Sequence, residues 1–91
     1  METIWYLYIL QCKDGSLYTG ITPNVQKRLE AHRAGKGAKY TRGRGPLELV
    51  YQEACGSHSE ALKREHEVKA MSREKKLAIL AEKRKTRTTA P

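Results

Sequence analysis

Residues Trp5 to Ile21 hold the feature that most restricts the fold. Two apolar-rich runs, IWYLYILQC and SLYTGIT, are separated by Lys13-Asp14-Gly15. Asp-Gly between such runs is a strong hairpin signal. Two turns fit it. A two-residue Asp14-Gly15 turn pairs Cys12 with Leu17, and a three-residue loop with Gly15 in the left-handed region pairs Cys12 with Ser16. Strand faces alternate with period two, so a one-residue slip sends a whole set of side chains to the other face. Only the three-residue loop puts Trp5, Leu7 and Ile9 on one face with Leu17 and Ile21. The same register gathers Tyr6, Tyr8 and Tyr18 on the opposite face beside Gly20. Tyrosine suits a half-exposed strand face. A buried phenol, in contrast, needs a hydrogen-bond partner, so three phenols in one hairpin call for a reason.

After the hairpin, Thr22-Pro23 has the form of a helix start, with threonine as N-cap and proline at the first helical position. The helix PNVQKRLEAHRAG places Val25 and Leu29 on its apolar stripe and ends at Gly35 or Gly37. Arg28 and His32 flank that stripe, near the seam with the sheet. The segment GKGAKYTRGRGP follows, with four glycines, two lysines and two arginines. Its backbone can approach a ligand closely, and its cations and amides suit phosphates. A solvated loop has the same composition.

LELVYQEA is the third strand. Ser57 and Glu60 form a capping box that opens a second helix, with Ala61, Leu62 and Val68 on its inward stripe. Glu65 falls within that stripe, where a carboxylate is costly unless it is paired, hydrogen-bonded or bound to a metal. Ser72 caps a last helix, with Leu77, Leu80 and Ala81 facing in. KRKTRTTAP lacks packing residues. The expected division is thus one domain over residues 1–82 and a basic, disordered tail over 83–91. The expected fold is α+β, a three-stranded sheet starting with a β-hairpin and flanked by helices in the order β-β-α-β-α-α.

Eighteen Lys and Arg against ten Asp and Glu give the 91-residue chain a net charge of +8, which suits a polyanionic partner. No apolar run is long enough for a signal peptide or a membrane span. Cys12 and Cys55 have no metal-ligand spacing. A disulfide between them stays open, and a cytoplasmic protein with reduced thiols is the expectation.

Taken together, these motifs resemble the GIY-YIG nuclease domain, and within it the small stand-alone bacterial branch. YLY at 6–8 stands at the family's first motif and YTG at 18–20 at its second. RLEAH supplies a helical Arg28 and His32, and KREHEVK a glutamate at Glu65. The resemblance runs from about Trp5 to Met71. It implies a metal-dependent endonuclease that hydrolyses phosphodiester bonds in DNA, with branched, flapped or single-stranded substrates. The catalytic set it implies is Tyr8, Tyr18, Arg28, His32 and Glu65. Glu65 would hold Mg²⁺, for which Mn²⁺ substitutes, since hard oxygen ligands and a mostly aqueous shell suit these ions. Neighbouring cations are expected to lower the pKa of the tyrosine that orients or deprotonates water; either Tyr8 or Tyr18 fits that role. Gly20, Lys36, Lys39, Tyr40, Thr41, Arg42 and Arg44 are the expected nucleic-acid contacts. DNA is the expected partner, RNA stays open, and a larger protein partner would supply specificity. A non-catalytic nucleic-acid-binding module is the alternative, because it uses the same charge and glycine-rich loop without Glu65.

Overall fold

The computed structural model describes residues 3–36 and 46–89, with side chains through Ala81. Strands β1 (Trp5–Gln11) and β2 (Leu17–Thr22) precede helix α1 (Val25–Arg33), and strand β3 (Glu48–Gly56) precedes helices α2 (His58–Lys69) and α3 (Arg73–Thr89). The element order is the expected β-β-α-β-α-α. The three strands form one antiparallel sheet with β1 in the centre, in the order β2-β1-β3.

The hairpin uses the three-residue loop. Gly15 has φ +86°, its amide donates to the Cys12 carbonyl at 2.9 Å, and the Cys12 amide donates to Ser16 at 2.9 Å. Asp14 fixes the turn further by accepting from the Ser16 amide and hydroxyl. The resulting register pairs Tyr8 with Gly20, Leu10 with Tyr18 and Leu7 with Ile21.

Alternation along β1 then feeds two cores, one on each face of the sheet. Leu7 and Ile9 pack with Val68 and Leu80 on the side of α2 and α3. Tyr8, Leu10 and Cys12 pack with Leu29 of α1 and with Leu47. Tyr8 therefore sits in a second core, which the half-buried Tyr18 borders. Cys12 belongs to one core and Cys55 borders the other; both thiols are free, and the intervening sheet rules out a bridge.

A register shift between Ile9 and Leu10 in their pairing with β3 breaks the simple alternation expected there. Leu49 consequently joins the α1-side core, whereas Val50 and Tyr51 both border the other.

Helix α1 is capped by Asn24 rather than Thr22. Thr22 is still paired with Tyr6 in the sheet, and the Asn24 side chain accepts from the Lys27 amide at 3.0 Å. Thr22 instead holds the approach to the helix by accepting from the Asn24 amide at 3.1 Å. At the other end, bonds from Gly35 to His32 and from Lys36 to Ala31 close a Schellman motif on Gly35, whose φ is +76°. Ser57 caps α2, accepting from the Glu60 amide at 3.2 Å.

Three side chains expected inside lie outside: Leu62 and Leu77 are 45% and 41% exposed, and Ala81 is exposed. The strips that α2 and α3 bury are narrower than their apolar composition implies. Helix α3 runs on to Thr89, into the stretch read from sequence as a tail. Its Lys, Arg and Ala residues favour helix, and no proline falls between Pro46 and Pro91.

Candidate active site

Tyr8 occupies the middle of the central strand and is 2% exposed. Its phenol leans across β2 over Gly20. A Cβ added at Gly20 would lie 2.6 Å from the Tyr8 oxygen and 2.8 Å from Cζ, so glycine is what lets the ring lie there. The phenol oxygen is 2.8 Å from Nε2 of His32, itself 2% exposed. The buried hydroxyl and the buried imidazole thus satisfy each other, and the position of the proton between them follows the imidazole tautomer. Tyr18, two residue pairs nearer the turn, completes an aromatic triangle. Its ring centroid lies 5.2 Å from His32, edge-on, and 6.3 Å from Tyr8.

Arg28 and Glu65 bear on the same phenol from two different helices. Burial raises the Tyr8 pKa above its ordinary value. Arg28 opposes the rise by hydrogen bonding and by charge, while Tyr18 and the Glu65 carboxylate add to it electrostatically. The net direction is upward. The lowering expected from neighbouring cations is outweighed, because the ring is buried in a core. His32 shifts the other way, below its ordinary value, through burial first and the Arg28 charge second. At neutral pH the pair is accordingly a phenol and a neutral imidazole.

Glu65 projects from α2, is about one-fifth exposed and pairs with Lys69 one turn later at 3.3 Å. Among the described residues, no three or more His, Cys, Asp or Glu side chains form a group able to hold a metal. A cation here would rest on a single carboxylate and water. That donor set fits Mg²⁺, which keeps several waters and commonly takes one or two carboxylates plus substrate phosphate.

Of the residues expected at the site, Tyr8, Tyr18, Gly20, Arg28, His32 and Glu65 meet around one phenol, although β1, β2, α1 and α2 supply them. Tyr6 is paired with Thr22 and Ala54 at the far end of β1 and joins none of these contacts. Lys36 is exposed just past α1. Lys39, Tyr40, Thr41, Arg42 and Arg44 lie outside the described residues.

A second polar group escaped the sequence analysis. Arg64 of α2 donates to both Glu53 oxygens, at 3.0 and 3.2 Å, and the Tyr51 hydroxyl donates to the same carboxylate at 2.5 Å. Burial, followed by the Glu53 contact, pushes the Tyr51 pKa up to about 12. This trio ties α2 to β3. The β3 bulge, which places Tyr51 and Glu53 on the α2 side, leaves no periodic signal in the sequence.

Comparison with known proteins gives a consistent result. Residues 4–78 match the GIY-YIG catalytic domain. A UPF0213 protein of Staphylococcus haemolyticus is 56% identical over 78 residues, covering 86% of this chain and 95% of that one. Another, from Natronomonas pharaonis, is 54% identical over 77 residues, covering 85% and 91%. The solution NMR structure of a UPF0213 protein from Bacillus halodurans superposes with a TM-score of 0.57 at 54% identity, covering 86% of this chain and 83% of that one. A solution NMR structure of a protein from E. faecalis gives 0.61 at 39% identity, covering 89% and 88%. With more than four-fifths of its length matched by the domain family and relatives of nearly its own size, the chain belongs to the GIY-YIG family.

Proposed function

We propose that the protein is a divalent-metal-dependent endonuclease that hydrolyses phosphodiester bonds in DNA, with branched, flapped or single-stranded segments as substrates. The observation that carries this reading is the 2.8 Å contact between Tyr8 and His32, with Arg28 and Glu65 acting on the same phenol. A packing role for Tyr8 needs neither a guanidinium nor a carboxylate beside it.

Hydrolysis requires water to attack phosphorus, its proton to be removed, and the bond to the leaving oxygen to break. In this reading Tyr8 takes the proton from the attacking water as its own passes to Nε2 of neutral His32. The relay lets a phenol with a raised pKa act without a free phenolate. Tyr18 stands beside both rings and helps to orient the water. Arg28 presents a planar fork to two non-bridging phosphate oxygens, and its charge stabilises the additional negative charge of the transition state. Glu65 is the residue that would hold Mg²⁺ or Mn²⁺, giving up its internal partner Lys69. Such an ion supplies Lewis-acid stabilisation of the phosphate and of the leaving oxygen. Catalysis and binding would both reside in this small domain, with a larger protein partner directing it to its sites.

The test is cleavage of end-labelled flapped, branched and single-stranded oligonucleotides with Mg²⁺ or Mn²⁺, using the wild type, Glu65→Gln and Arg28→Ala. The expected result is metal-dependent cleavage that falls at least about 100-fold in each variant, on the scale of losing one transition-state donor, while DNA binding survives. Binding without cleavage by the wild type would replace this reading with that of a non-catalytic binding module. Equal cleavage by all three proteins would trace the activity to a contaminant.

A further inference from the structure

Beside the aromatic triangle, on the outer edge of the sheet, lies a cleft of about 270 Å³ lined by Leu17, Tyr18, Thr19, Lys69 and Lys76. Three elements form it: edge strand β2, the last turn of α2 and the first turn of α3. Thr19 is 3% exposed, and its hydroxyl oxygen is the one buried side-chain polar atom among the described residues with no hydrogen-bond partner. Such a group costs on the order of 1–3 kcal/mol, and valine has nearly the same shape without that cost. Two lysines also line the cleft: Lys69, whose ammonium is paired with Glu65 at 3.3 Å, and half-buried Lys76.

A hydroxyl in need of a partner together with two cations is a donor set for an anion with several oxygens. Alternation along β2 sends Tyr18 towards the aromatic triangle and Thr19 towards α2 and α3, and Tyr18 also lines the cleft. An anion held here would therefore border the reacting centre without occupying it. We infer that this cleft is a second phosphate subsite, which binds a non-reacting phosphodiester of the substrate strand next to the bond being cut. The inference rests on the nuclease reading for the identity of the strand, but not for the presence of the site. Lys69 connects the two centres: a strand phosphate that draws its ammonium into the cleft releases the Glu65 carboxylate.

Thr19→Val and Lys76→Ala test this through binding, with divalent cations absent so that no cleavage intervenes. Fluorescence anisotropy of a labelled single-stranded oligonucleotide is followed against salt. Lys76→Ala is expected to reduce the slope of log Kobs against log salt by about 0.7, the value for one phosphate contact on a single strand. Thr19→Val is expected to weaken binding several-fold while raising Tm, because it removes an unsatisfied hydroxyl. A purely structural threonine would not move affinity. Unchanged slope and affinity in both variants would overturn the subsite. So would inorganic phosphate that protects the cleft while Lys76→Ala leaves strand binding intact, since this would assign the cleft to a free anion. The two readings separate cleanly: a reduced slope in a wild-type protein that never cleaves keeps the subsite and removes the nuclease, whereas cleavage with an unchanged slope does the reverse. A wild type that binds no strand removes both.

Discussion

Gly20→Ala probes the geometry of the site with a single carbon. The added Cβ would stand 2.6 Å from the Tyr8 oxygen, 2.8 Å from Cζ and 3.1 Å from Cε1. The backbone at Gly20 is ordinary strand, so the conflict is with the ring and not with φ. The ring has little room to retreat, since it is 2% exposed and its oxygen is bound to His32 at 2.8 Å. Overpacking of this kind costs roughly 1–3 kcal/mol, and loss of the buried hydrogen bond about 0.5–1.5 kcal/mol more. The expected total is about 2–4 kcal/mol. In a domain of this size each kcal/mol moves Tm by roughly 4–8 °C, so thermal denaturation followed by circular dichroism should show a fall on the order of 10–25 °C. Any cleavage should fall with it, because the phenol moves. Repeating the change in a Tyr8→Phe background should shrink the penalty without abolishing it, since the nearest atom is gone but Cζ remains. An alanine variant whose Tm stays within about 2 °C of wild type, a shift too small for even 1 kcal/mol, would show that the ring does not cross Gly20, and the proposed site would lose its centre.

Other predictions concern pH and the second polar group. The folded-state pKa of His32 lies below its ordinary value, so the unfolded chain binds more protons as the pH drops below about 6.5. The His32 contribution is therefore fully present above that pH and is lost as the pH falls towards the folded value. Melting curves across that range should show a steeper acid loss for the wild type than for His32→Gln, and cleavage should fade along the same limb. Tyr51, at about 12, should stay protonated past pH 11 in an ultraviolet titration. Arg64→Ala should delay its ionisation further and cost roughly 1–3 kcal/mol in chemical denaturation, because it leaves the half-buried Glu53 without its cation; a smaller change in both would mean that the trio is incidental.

The sequence was most legible where one local signal had to satisfy two demands. The turn at Gly15 had to close a loop and also bring Leu7 and Ile21 to one face, and those demands together admit one register. Ser57 with Glu60, and Gly35 after a helical run, were equally local. The tyrosines, Arg28, His32 and Glu65 could be joined through their resemblance to a family, but their meeting around Tyr8 depends on three-dimensional paths that spacing does not encode. Thr22 misled because threonine and proline suit a helix start wherever they stand, whereas pairing with Tyr6 keeps Thr22 in the sheet. Leu62 and Leu77 misled because composition marks a residue as apolar without saying which arc of its helix is covered. Thr19 carried no signal at all, since an unsatisfied hydroxyl becomes visible only when its surroundings are known.

The central strand carries Leu7 and Ile9 into one core and Tyr8 and Leu10 into the other. Its middle phenol is thus a structural keystone as well as the group on which the proposed chemistry turns. Heat or denaturant cannot loosen that phenol gradually while leaving the remainder in order, so inactivation should coincide with global melting and not precede it. Conversely, changes that retune its acidity must come from neighbours such as Arg28 and Glu65, whose charges reach the ring without touching the interlocked layers around it.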